Sequence, residues 1–149
     1  MTNSAETLNN LLVGMFNQII KIEYGTLVQG HYKDLTISEF HTIDNIGPDN
    51  HNTMSDVAGR LGITLGTLTT SVNRLIKKGY VYKEKSQEDK RIYHLRLTEK
   101  GVGAFHAHAA FHQEMIQVIL EHTTSEEQEL FSHILQNVHQ FFLEKYQSC

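Results

Sequence analysis

Between Thr53 and Arg91 the apolar pattern changes its period once, from helical to strand-like, and few folds accommodate that order of elements. Thr53-Met54-Ser55-Asp56 places a hydroxyl cap and an acid at a helix start, Met54, Val57, Ala58 and Leu61 form an inward stripe, and Gly62 supplies the C-terminal stop. Two residues later Thr64 caps a second helix whose inward stripe is Leu65, Leu68, Val72, Leu75 and Ile76. A short helix, a glycine turn and a second helix make a helix-turn-helix. Beyond Gly79, Val81, Lys83 and Lys85 alternate with their neighbours, and Ile92, His94 and Arg96 follow across the polar loop Ser86-Gln87-Glu88-Asp89-Lys90. Two short strands joined by such a loop form a β-hairpin, the wing of a winged helix-turn-helix.

The flanks are helical. Leu8, Leu11, Leu12, Met15, Phe16, Ile19, Ile20 and Ile22 recur at spacings of three and four over residues 6–28, an amphipathic first helix that ends near Gly25 to Gly30. Thr36-Ile37-Ser38-Glu39 is a capping box that opens a helix from Ile37 to Ile46, with Phe40, Ile43 and Ile46 inward, and Gly47-Pro48-Asp49-Asn50 is a turn. Thr98 caps a long helix with Val102, Phe105, Ala109, His112, Ile116 and Ile119 on one face. Thr124-Ser125-Glu126-Glu127 is a third capping box, before a helix carrying Leu130, Ile134, Leu135, Val138, Phe141 and Phe142. The terminal helices hold more large apolar side chains than one small domain covers, and a paired second chain would bury them. The expected fold is mostly α: one domain over 1–149, with a winged lobe at 36–97 and a helical dimerisation region built from 5–30 and 99–147.

Charge separates the lobe from the rest. Residues 60–101 hold ten of the thirteen Lys and Arg against four acids, a net +6, while the remainder carries −10. A basic segment in an acidic protein is an electrostatic footprint for an anionic polymer, because each neutralised phosphate releases counterions. A sequence-neutral DNA-packing protein would instead spread its basic charge over a broad surface. No run of 18 apolar residues spans a membrane and residues 1–25 lack a signal-peptide pattern, so a cytoplasmic location is expected. The single cysteine, Cys149, cannot form an intrachain disulfide. No phosphate-binding glycine loop, nucleophile elbow or zincin helix is present, and the one catalytic-looking cluster, His106, His108, His112 and Glu114, lies on a helix that a dimer would bury. An enzyme is not expected, and no cofactor is required.

The outward face of the second helix of the motif is Gly66, Thr67, Thr69, Thr70, Asn73, Arg74 and Lys77, after the cap Thr64. Gly and Thr let a backbone come close to a groove, and Asn73 and Arg74 have bidentate geometry for adenine and guanine. Threonine is a mediocre helix former, so this cluster is a poor choice for stability alone. Asp89, Lys90 and Arg91 at the wing tip are the second expected contact, with Arg91 entering a minor groove and Asp89 orienting its guanidinium.

These features together resemble the MarR family of transcriptional regulators. Asp89-Lys90-Arg91 followed by Leu97-Thr98-Glu99-Lys100-Gly101 is similar to the family's D-x-R and L-T-x-x-G signature, and the resemblance covers essentially the whole chain. It implies a homodimer whose first and last two helices intertwine and whose two winged lobes read a pseudo-palindromic operator in double-stranded DNA. Residues 35–44 and 63–71 look further like the FabT-like subgroup of fatty-acid-synthesis repressors. That likeness implies repression of fatty-acid biosynthesis genes, with a long-chain acyl group on acyl carrier protein as corepressor. An acyl chain needs an apolar tunnel, for which Met15, Ile19, Phe40, Ile43, Phe105 and Phe111 are candidates; each also reads as core packing.

The histidines offer a different effector. His108 and His112 are four apart on one helix face, a spacing that lets two imidazoles share a metal. Glu23, His41, His108 and His112 are similar to a zinc site of metal-sensing MarR regulators, whereas Phe40 and Ala107 stand where further acidic ligands would complete a second site. The alternative to zinc sensing is a polar network in which the imidazoles are hydrogen-bonded.

Overall fold

The computed structural model describes residues 4–49 and 51–146. Six helices and three strands follow in the order α1 (Ser4–Val28), α2 (Ile37–Ile46), β1 (Asn52–Thr53), α3 (Met54–Leu61), α4 (Leu65–Lys77), β2 (Val81–Lys85), β3 (Tyr93–Leu97), α5 (Glu99–Glu121) and α6 (Ser125–Tyr146). The architecture is the mostly helical winged helix-turn-helix expected. Cys149 and Asn50 of the anticipated turn lie outside the described residues. Two compact units divide within α5, residues 4–111 and 112–146.

In the first unit local chemistry sets each helix start. The Thr36 hydroxyl accepts from Glu39 N at 3.2 Å while Glu39 Oε2 accepts from Thr36 N at 2.9 Å. Thr53 and Asp56 repeat the reciprocal pair at 3.2 and 2.8 Å. Each box satisfies N–H groups that a first helical turn leaves without partners. Gly62 ends α3 in the left-handed region, φ 65°, and its N–H returns to the last turn, so α4 can begin after a single connecting residue and its cap.

The core joins these helices to the sheet through Phe40, Ile43 and Ile46 of α2, Val57 of α3, Leu68, Val72 and Leu75 of α4, and Leu95 of β3, all fully buried. Leu65, expected inward with the rest of the α4 stripe, is 51% exposed. Side chains tilt toward a helix N-terminus, so a first-turn residue overhangs the last packed layer.

The wing is the expected hairpin, with Val81 opposite Leu97 and Lys85 opposite Tyr93. A third strand was not foreseen: β1 pairs antiparallel with β3, Asn52 opposite Leu95 and Thr53 opposite His94, giving the order β1-β3-β2. Asn52 also donates to Ile46 O at 2.9 Å, tying the sheet edge to the end of α2. Two residues carry no readable alternation, and their partners lie 43 and 41 positions away, so periodicity alone does not reveal this strand.

Helix α5 also departs from its expected phase. The buried stripe is Gly101, Ala104, His108 and Phe111, one residue off the predicted Val102, Phe105, Ala109 and His112, of which Ala109 is exposed and the others half-buried. The small residues face inward because α5 runs close to backbone. A Cβ at Gly101 would collide with the Tyr80 carbonyl oxygen and sit 3.2 Å from Leu97 Cβ. Thr98 fixes the approach by donating to Gly79 O at 2.6 Å and accepting from Gly101 N at 3.1 Å.

The second unit is the C-terminal part of α5, a turn and α6. Its capping box is present, with Thr124 N on Glu127 Oε2 at 2.8 Å and Glu127 N on the Thr124 hydroxyl at 3.3 Å. Within α6 no described residue is buried: Leu130, Ile134, Leu135, Val138, Phe141 and Phe142 are each 45% or more exposed. On α1, in the first unit, Leu8, Leu11, Leu12, Met15, Phe16, Ile20 and Ile22 are exposed as well, while Ile19 is half-buried.

Candidate nucleic-acid interface

Thr64, Gly66, Thr67, Thr69, Thr70, Asn73, Arg74 and Lys77 are all exposed, on one face of α4 opposite its buried stripe. The threonines are more committed than their type suggests. Thr69 donates to Leu65 O at 2.7 Å and Thr70 to Gly66 O at 3.2 Å, while Thr64 and Thr67 share a hydrogen bond of 2.9 Å. With those protons used along the helix, Thr69 and Thr70 present methyl groups and acceptor lone pairs outward. Asn73, Arg74 and Lys77 make no side-chain hydrogen bond or ion pair among the described residues.

Several cations of the basic segment turn out to be structural. Lys78 donates to Glu39 at 2.8 and 2.9 Å and to the Asp34 carbonyl, pinning the end of α4 to the start of α2. Lys100 lies 4.1 Å above the Tyr80 ring and 3.7 Å from Asp34, Arg96 pairs with Glu84 at 2.8 Å, and Arg60 donates to Asn45 O at 2.6 Å. Charge available to an anionic partner is thereby concentrated on Arg74 and Lys77 of α4 and on Lys83, Lys85, Lys90 and Arg91 of the wing. Tyr80 donates to Asp34 at 2.7 Å, and burial together with that carboxylate pushes the phenol far above its ordinary range, leaving it a fixed neutral donor.

At the wing tip Asp89 accepts from Arg91 N at 2.9 Å and from Arg91 Nε at 3.3 Å, the orienting contact expected, while the Arg91 side chain stays 92% exposed. Lys90 beside it is exposed, and Asp89 is half-buried. A surface cavity of about 610 Å³ separates the wing from the start of α3, with Met54, Ile92 and Tyr93 as apolar walls and Lys83 and Arg91 at its rim.

A second constellation lies on the other side of α2. His108, 1% exposed, has both ring nitrogens on carboxylates: Nδ1 on Asp44 and Nε2 on Glu23, itself 4% exposed. His41 Nε2 is 3.5 Å from the same Glu23 oxygen, and its ring is 5.4 Å from that of His108. Burial would lower the His108 pKa, but the hydrogen bonds and charges of Asp44 and Glu23 outweigh it and hold the imidazole above its ordinary value. One donor atom from each of Glu23, His41 and His108 falls within 4.8 Å of the others, a nitrogen and oxygen set suited to a divalent cation. Asp44 would then act as the outer carboxylate that fixes the His108 tautomer. His112 is half-buried and is not one of the three. Asp44 was missed from sequence; its signal is the spacing of three from His41 on the same turn of α2.

Of the apolar effector candidates, Phe40 and Ile43 are fully buried and Phe111 is 8% exposed, all in the core cluster against which Phe105 packs. Phe40 also lies 5.7 Å from the His108 ring. Ile19 is half-buried and Met15 is 46% exposed, so the six do not share one environment.

A winged helix-turn-helix with a polar, cationic recognition face and an oriented arginine at its wing tip defines a DNA-binding transcriptional regulator. The MarR family profile matches residues 33–92. Streptococcus pneumoniae FabT, in a crystal structure with DNA, superposes with a TM-score of 0.88 at 38% identity, over 94% of this chain and 98% of that one. The regulator SarZ of Staphylococcus haemolyticus is 33% identical over 92 residues, 62% of this chain and 60% of its own length. Bacillus subtilis MhqR is 28% identical over 112 residues, 72% of this chain and 74% of its own. The chain belongs to the MarR family.

Proposed function

We propose that this protein is a homodimeric repressor of fatty-acid biosynthesis genes that binds a pseudo-palindromic operator and takes a long-chain acyl group on acyl carrier protein as corepressor, with no catalytic role of its own. The likeness to FabT over nearly the full length of both chains carries this reading. The free polar face of α4 and the exposed Arg91 support major-groove entry with a wing in the flanking minor groove. Two-fold symmetry calls for half-sites about one helical turn apart. The apolar faces of α1 and α6, left to solvent in a single chain, support a second copy as the partner that covers them. Sedimentation should accordingly give twice the 17.1 kDa chain mass. Operator binding should tighten when long-chain acyl carrier protein is added and not when the unacylated carrier is added. No change with either overturns the corepressor assignment.

The Glu23, His41 and His108 cluster favours a second reading, a zinc-responsive regulator of the same family. Those three side chains would bind the ion, which would supply a fixed positive charge joining α1, α2 and α5, while Asp44 keeps His108 oriented. Equilibrium dialysis against Zn²⁺ that leaves the protein metal-free ends that reading.

A further inference from the structure

A cleft of about 300 Å³ opens between the first turn of α2 and the outer face of α4, and every side chain lining it is polar or charged. Most of those groups are already engaged. Glu39, the carboxylate of the cleft, is bound by Lys78 at 2.8 and 2.9 Å and by Thr36 N at 2.9 Å. Ser71 shares a hydrogen bond of 3.2 Å with Thr42, Thr70 donates to Gly66 O at 3.2 Å, and Thr67 is paired with Thr64 at 2.9 Å. What remains is the Arg74 guanidinium and the Ser38 hydroxyl, both exposed and both without a side-chain partner among the described residues. A free cation and a free O–H donor share one polar cleft whose carboxylate is neutralised, a combination that suits a tetrahedral oxyanion.

Thr67 and Thr70 belong both to this cleft and to the recognition face, so the cleft borders whatever α4 enters. We infer that it seats a backbone phosphate of the duplex flanking the groove, with Arg74 and Ser38 donating to its non-bridging oxygens, so that Arg74 positions the DNA and does not read a guanine. The inference rests on the DNA-binding reading and reassigns one of its residues. Phosphate contacts set register and contribute salt dependence, whereas base contacts set sequence preference. Ser38 thereby joins the interface from α2, an element outside the helix-turn-helix, and Asn73 is left as the bidentate side chain available to a base edge.

The probe is a duplex enriched from a randomised pool by the wild-type dimer, together with its single-base variants. Arg74→Gln should weaken binding about tenfold on every duplex and lower the log–log salt slope by about 1. Ser38→Ala should weaken binding several-fold and leave the slope unchanged, because a neutral donor displaces no counterion. Melting curves of both variants should match wild type, since both side chains are exposed. An Arg74→Gln protein that loses preference at one base position and keeps the wild-type slope overturns the inference. So does Ser38→Ala binding at wild-type affinity. A wild-type protein that enriches no duplex removes the DNA-binding reading itself.

Discussion

Gly101→Ala separates local propensity from tertiary packing, because the two predict opposite signs. Gly101 is in the first turns of α5, and alanine there gains about 1 kcal/mol of helix propensity over glycine. The new Cβ, however, would overlap the Tyr80 carbonyl oxygen and lie 3.1 Å from its carbon and 3.2 Å from Leu97 Cβ. That backbone cannot withdraw. Tyr80 N is bonded to Leu75 O at 2.9 Å, Tyr80 O accepts from Thr98 N at 3.0 Å, and the Tyr80 ring is fully buried with its hydroxyl on Asp34. Overpacking a core costs about 1–3 kcal/mol, and overlap with backbone belongs at the upper end, so the net expectation is a loss of about 2 kcal/mol. Gly59→Ala is the matched control: it is exposed on α3 with nothing within 4 Å of its added Cβ, and should gain about 0.5–1 kcal/mol. Urea unfolding of both variants at one fixed protein concentration, as a dimer requires, gives the comparison. A Gly101→Ala protein as stable as wild type would refute the close approach of α5 to the end of α4.

Three further outcomes are expected. Because the folded His108 pKa is raised, its contribution to stability is complete below the unfolded value of about 6.5 and is lost as pH rises through the folded value. In chelator-treated buffer, wild type should therefore lose stability above pH ~6.5 relative to Asp44→Asn, and parallel pH profiles would show that the His108 charge is not held by Asp44. Arg91→Ala should weaken operator binding, reduce the salt slope by about 1 and leave urea melts unchanged, since its pair with Asp89 is a surface contact; unchanged affinity at moderate salt removes the wing from the interface. Lys78→Met should destabilise by about 2 kcal/mol, because it strands the buried Glu39 carboxylate, whereas the exposed Lys77→Met should stay within about 0.5 kcal/mol of wild type. Equal melts for the two lysine variants would sink that distinction.

The likeness to FabT and the free face of α4 concern different questions. In the proposed reading the face of α4 and the wing meet DNA; the Glu23, His41, Asp44 and His108 cluster lies on α1, α2 and α5, where Zn²⁺ would bind in the second reading. Helix α2 touches both sets, holding Ser71 of α4 through Thr42 and His108 through Asp44. Replacing acyl carrier protein by Zn²⁺ in one operator assay therefore discriminates the two regulatory readings without altering the DNA-binding one.

The sequence by itself determined the capped helices, the glycine stop at Gly62, the wing and the polar face of α4, because caps, turns and periodicity act over three or four residues and are written locally. It also contained Asp89 and Arg91 two positions apart, close enough for one to orient the other. Tertiary structure alone decided which residues of α5 face inward, since small side chains at Gly101 and Ala104 mark a close approach and not a loss of hydrophobicity. It decided that Asn52 and Thr53 form a strand, through a partner far along the chain. It decided that Leu65 lies outside the core and that Asp44 completes the histidine cluster. Above all it sorted the basic segment, binding Lys78, Lys100, Arg96 and Arg60 internally and leaving Arg74 and Arg91 outward. Net charge along a chain shows that cations are present; only the positions of their carboxylate and carbonyl partners in space show which remain free for DNA.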